Sequence, residues 1–155
     1  MEIRILTVGK LKEKYLSNAQ ESLLTEISKR YKVRLVEIKD EKTIDGASTK
    51  EEERVKNTEG QRILSAIREK GRIIVLDVSG KTVSSDYWSK KIRESDEDSG
   101  MIYLIIGGSL GISQDVLKLS DERISFSRMT YPHQLFRIML LHEVAAASRQ
   151  QAFSV

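Results

Sequence analysis

Five short β-rich runs, separated by stretches with helical patterning, constrain this chain more than any other feature. The runs are "IRILTVG" (3–9), "VRLVEI" (33–38), "RIIVLDV" (72–78), "MIYLIIGG" (101–108) and "RISFS" (123–127). Between the first two, Tyr15, Ala19, Leu23, Ile27 and Tyr31 recur every fourth residue, which predicts an amphipathic helix over 15–31. Ser48 followed by Glu51 has the capping-box spacing and opens a charged helix to about Arg68, with a thin apolar stripe of Val55, Ile63, Ala66 and Ile67. A short helix carries Trp88 and Ile92, another spans 113–121, and the last starts near His133. The runs at 72–78 and 101–108 are almost continuously apolar, so both of their faces must be covered. Alternation with helices then implies an α/β fold, a parallel sheet with helices on both faces. At 155 residues one domain over 1–155 is expected.

In such sheets ligands bind in the crevice beyond the carboxyl ends of the strands. The candidate site loops therefore follow Val8, Val78, Ile106 and Phe126. The chain's single proline, Pro132, stands in the last of them, within "MTYPHQLFRI". Proline fixes its own φ and restricts the residue before it, so this junction is rigid. It is either a plain helix start or one wall of a ligand site.

The net charge is only +3, which allows an RNA partner without demanding one. Without cysteine, disulfides and thiolate metal sites are excluded. The sequence has no apolar run long enough for a signal peptide or a membrane span, so a cytoplasmic protein with no membrane attachment is expected.

The glycine-rich turn "IGGSLGIS" (106–113) is not the dinucleotide fingerprint G-x-G-x-x-G. It does match G-x-S-x-G, with Ser109 as the nucleophile of a serine hydrolase and Asp115 or Asp121, then His133 or His142, following in order. The plainer reading is a tight turn whose glycines let backbone approach a ligand. "HEVAA" (142–146) lacks the second histidine of H-E-x-x-H, and no metal site is expected. Lys10, Lys12 and Lys14, with Arg4, Lys29, Arg30, Lys32 and Arg34, make the N-terminal part basic, either a phosphate-contacting patch or a solvated face. Asp77, near a strand end, is placed to hold a ribose hydroxyl, to cap a helix or to stand as an exposed charge, while Leu76 reads as core from its residue type.

Together, "VGKLKEKY", "DEK", "EGQRIL", "IIGGSLG" and "DERISFSRMTYPHQLFRIML" resemble the RlmH family of SPOUT-superfamily RNA methyltransferases, from residue 1 to about 141. The resemblance implies transfer of a methyl group from S-adenosylmethionine to N3 of a pseudouridine in helix 69 of 23S ribosomal RNA. It also implies a homodimer and a trefoil-knotted C-terminal half, neither of which alternation alone indicates. Carried over residue by residue, it implies that Leu76, Gly108, Ser127, Arg128, Met129, Thr130, Tyr131 and Pro132 bind the cofactor. His133 is the candidate catalytic base, against a plain contact at the helix start.

The chain departs from the family at its end. Where the family helix reads Glu-Gln-(Ile/Leu)-Tyr-Arg, this chain has His142, Glu143, Val144, Ala145 and Ala146, and its last residues, Gln151 to Val155, lack the family's Tyr-His tail. The resemblance ties that arginine and tail to the RNA-facing site, which implies retained cofactor binding with weakened transfer. A non-catalytic RNA- or ribosome-binding protein is the alternative of a different class.

Overall fold

The computed structural model describes residues 1–98 and 100–152. The chain runs β1 (Glu2–Val8), α1 (Lys14–Ser28), β2 (Lys32–Ile38), α2 (Thr49–Ala66), β3 (Arg72–Thr82), α3 (Ser85–Glu97), β4 (Met101–Ile106), α4 (Gln114–Leu119), β5 (Glu122–Ser125) and α5 (His133–Ala152). The strands form one five-stranded sheet in the order β2-β1-β4-β3-β5, and every pairing is parallel.

Helices cover both faces. Ile102, Leu104 and Ile106 of β4 point into a core with Ile27 of α1, Trp88 and Ile92 of α3, and Leu140, Leu141, Val144 and Ala145 of α5. The alternate residues Met101, Tyr103 and Ile105 point the other way, onto Ile63 of α2 and Val116 and Leu117 of α4. All six residues of β4 are buried, which is why this run is the most apolar of the chain.

Several expectations shift in detail. The helix expected over 15–31 ends at Ser28, and its stripe fails only at the start: Tyr15 is 69% exposed while Leu16 is buried, and Leu23 and Ile27 face the core. Tyr31 lies past the helix and is buried all the same, because the chain turns directly into β2. Ser48 caps α2 as its spacing implied, accepting from the Glu51 amide at 3.2 Å. Glu51 itself turns to Arg54 rather than back to the cap.

The largest difference is in β3. "SGK" reads as a strand stop, yet the strand continues to Thr82. Its register on β5 shifts between Leu76 and Lys81, and both residues pair with Ile124. A Cβ on Gly80 would lie 2.6–2.7 Å from backbone atoms of Arg123 and Ile124. Glycine there permits backbone to pass against backbone and does not end the strand.

Charge is sorted along the sheet. At its amino end Arg4 bonds Glu2 at 2.9 Å and Glu69 at 2.8 Å, Lys32 pairs with Glu2, and Arg30 with Asp96. Lys29 is taken by Glu26. The broad basic patch of the sequence thus shrinks. Of its members, Lys10, Lys12 and Lys14 are exposed at the carboxyl end and make no ion pair among the described residues.

Candidate active site

The carboxyl ends of β4 and β5, with the irregular middle of β3, open into a cleft of about 330 Å³. Three segments line it: Leu76 to Val78, Ile106 to Ile112, and Ser125, Ser127 and Met129 to Tyr131, with His133 and Phe136 closing the far side. Of the residues singled out for cofactor binding, Leu76, Gly108, Ser127, Met129, Thr130 and Tyr131 are brought together here. Arg128 and Pro132 are exposed and lie beside the cleft without lining it.

Each segment is held by its own chemistry. In the glycine turn, Gly111 has φ +95° and its amide donates to the Gly108 carbonyl at 3.0 Å. A Cβ on Gly107 would come 2.5 Å from the Ile112 side chain. In the last segment, Ser127 organises the backbone: its hydroxyl accepts from the Met129 amide at 2.9 Å and lies 3.1 Å from the Tyr131 hydroxyl. Its carbonyl accepts from Ser125 Oγ at 2.7 Å. Phe136 stacks on Phe126 at 4.7 Å, behind Tyr131. Asp77 lines the cleft and is hydrogen-bonded by the Ser79 hydroxyl.

The first turns of α5 clamp the loop after β1. His133 Nε2 donates to the Val8 carbonyl at 2.9 Å, and Gln134 Oε1 accepts from the Lys12 amide at 2.9 Å. Arg137 is 1% exposed; its guanidinium donates to the Gly9 carbonyl at 3.0 Å and to Glu37 at 2.8 Å. The contact of His133 is therefore a helix-start contact, and it uses Nε2 as a donor.

The Ser109 hydrolase arrangement is not assembled. Ser109 is exposed at the tip of the glycine turn. Asp121 is spent at the opposite end of the sheet, where its carboxylate accepts from the Ile73 amide at 2.8 Å. Asp115 is an exposed residue of the first turn of α4. His142 borders a different, apolar hollow of about 720 Å³ with Trp88, Phe126, Ile138 and Met139.

Sequence reasoning missed Glu59. It is 5% exposed in the middle of α2, and its Oε2 accepts from the Glu41 amide at 3.0 Å. Burial pushes its carboxyl above the ordinary range. A Cβ on Gly108 would sit 2.6 Å from its Oε1, so the carboxylate lies directly behind the glycine turn. The neighbouring Gly60 permits this: a Cβ there would meet Ser113, the cap of α4, at 2.1 Å.

At the altered end, Val144, Ala145 and Ala147 are buried in the core, and Ser148 Oγ bonds the Val144 carbonyl at 2.8 Å. Ala146 is half-buried. Phe153, Ser154 and Val155 lie outside the described residues.

The chain is similar to known proteins in sequence and in fold. The family model described as "Predicted SPOUT methyltransferase" matches residues 1–147, so the altered positions 142–146 fall inside the matched stretch. A ribosomal RNA large subunit methyltransferase H 1 of Clostridium perfringens is 45% identical over 150 residues, covering 96% of this chain and 94% of its own. A ribosomal RNA large subunit methyltransferase H of Clostridium botulinum gives the same identity and coverage. Among solved structures, a probable methyltransferase from Bordetella pertussis has a TM-score of 0.54 at 11% identity, covering 94% of this chain and 93% of that one. The TrmH/SpoU tRNA modifying enzyme of A. aeolicus has a TM-score of 0.51 at 14% identity, covering 97% and 77%. These two likenesses speak to the fold alone.

Proposed function

The chain belongs to the SPOUT methyltransferase family, and we propose that it methylates large-subunit ribosomal RNA with S-adenosylmethionine as donor, at N3 of a pseudouridine in helix 69. The observation that carries this reading is the one cleft that gathers Leu76 of β3, Gly108 of the glycine turn, and Ser127 and Met129 to Tyr131 of the last loop. The fit is chemical. Leu76, Ile106, Ile112 and Phe136 offer apolar surface for a flat heterocycle, and the glycine turn offers backbone groups that no Cβ screens.

The cofactor, when bound, supplies an electrophilic methyl group. The remaining work falls to this chain: to hold the donor, exclude water and align the target nitrogen. Pro132, just outside the cleft, limits the freedom of the 127–131 segment before any ligand binds. With Nε2 donating to Val8, His133 would accept a proton only at Nδ1. Lys10, Lys12 and Lys14 leave the same end of the sheet and suit a phosphate backbone. Among the described residues no helix is long and apolar enough to cross a membrane. A cytoplasmic location and a ribosomal partner accord with an RNA substrate.

A homodimer is the family expectation. The apolar hollow beside α5, with Ile138 and Met139 in its wall, supports it. Leu141 of the same helix is core. The knot is likewise an expectation, and the tight passage of Gly80 against Arg123 and Ile124 is compatible with it. Calorimetric titration with S-adenosylmethionine, followed by methyl transfer to ribosomes, tests the reading.

A further inference from the structure

We propose that the Glu59 carboxylate supplies a negative field through Gly108, by which the cleft favours a sulfonium cofactor over its neutral thioether product. This inference rests on the methyltransferase reading above.

Glu59 is buried, and among the described residues it forms no ion pair. The nearby guanidinium of Arg62 is committed elsewhere, to Glu41 at 2.7 Å and to the Lys39 carbonyl at 3.0 Å. One amide, that of Glu41, bonds Oε2, while Oε1 faces Gly108. A buried carboxylate with no ion pair in contact, only the longer-range pull of Arg62 and His133, is costly. Such a group beside a cleft is a functional candidate on physical grounds. Its position defines what it can act on. Only the backbone of a residue without Cβ separates it from the cleft wall, so it reaches a ligand by field and not by contact.

A sulfonium carries one positive charge that the thioether left after transfer does not. A negative field across Gly108 therefore holds the donor and gives the neutral product no such hold. It stabilises the bound donor no less than the transition state, in which that charge is already dispersing. Removing the field should weaken binding without slowing the chemical step.

The test compares S-adenosylmethionine with S-adenosylhomocysteine by titration calorimetry on wild type, Glu59→Gln and Glu59→Asp. The preference of wild type for the sulfonium should fall by about tenfold in Glu59→Gln and persist in Glu59→Asp, which keeps the charge. In transfer assays, KM for the donor should rise in Glu59→Gln with kcat maintained. An unchanged preference in Glu59→Gln, or its equal loss in Glu59→Asp, overturns the inference. If Glu59→Gln does not fold, Glu59→Met takes its place as the neutral variant, with the same loss of preference expected and an unchanged preference overturning the inference. Wild type that binds neither compound overturns the cofactor reading itself.

Discussion

His133 and Val8 are joined by one hydrogen bond: the imidazole Nε2 donates to the Val8 carbonyl at 2.9 Å, tying the first turn of α5 to the end of β1. The two residues are far apart in sequence, and His133 lines the cleft. Replacing His133 with Asn leaves an amide donor of similar reach. Transfer should fall by less than about tenfold, with an unchanged pH profile, whereas loss of a positioned acid–base group typically costs about 10²–10⁴. Single-turnover rates across pH check this. A loss in the larger range, with removal of a titration near neutrality, would make His133 the base.

Arg137 completes the same clamp through Gly9 and Glu37. Arg137→Met removes a buried guanidinium and strands the Gly9 carbonyl, while Glu37, 37% exposed, rehydrates. The expected loss is about 2 kcal/mol in urea unfolding, below the range for a fully buried pair.

Gly108→Ala places a Cβ 2.6 Å from the Glu59 carboxylate, which accepts from the Glu41 amide. The carboxylate is the far end of a flexible side chain and can turn aside from one methyl group, so affinity for S-adenosylmethionine should fall by no more than about a few-fold, whereas Gly108→Arg, too long to be cleared that way, should abolish it. Circular dichroism should show both variants folded.

Ser109→Ala should leave methyl transfer within a few-fold of wild type, because the hydroxyl is exposed on a turn. A fluorophosphonate probe should not label wild type. Stoichiometric labelling at Ser109 would favour a hydrolase.

The buried Glu59 also makes stability depend on pH. Burial raises its carboxyl in the folded state above the 4.5 of the unfolded chain, so the folded protein binds this proton more tightly. That contribution is fully present below 4.5 and is lost as pH rises through the folded-state value. Without cofactor, Glu59→Gln should therefore melt higher than wild type at neutral pH, and the difference should shrink in acid. Thermal melts from pH 4 to 8 check the sign.

The alternation of apolar runs and helical stripes made the parallel sheet and its two helical layers legible, because a strand such as 101–106 buried on both faces has to be apolar throughout. The glycine turn and the Pro132 junction were legible as site loops from their positions after strands. Arg137 and Glu59 were not read, although both leave a mark: Glu59 falls in phase with Val55 and Ile63 on α2, and Arg137 interrupts an apolar stretch of α5. A charge on a buried stripe signals a partner across the fold, but sequence does not name it. The backbone crossing at Gly80 reads in the sequence as a strand end, because a tertiary contact and a turn ask for the same residue.

The most direct test of the central claim is methyl transfer from labelled S-adenosylmethionine to ribosomes that carry unmodified helix 69 pseudouridine, read by mass spectrometry of the RNA. The natural chain should methylate N3 slowly. A chain whose residues 142–155 are replaced by the family's helix end and tail should do so faster. Equal rates for the two chains would show that these positions do not carry the chemistry. No methyl group on the RNA from either folded, cofactor-binding chain would contradict the account.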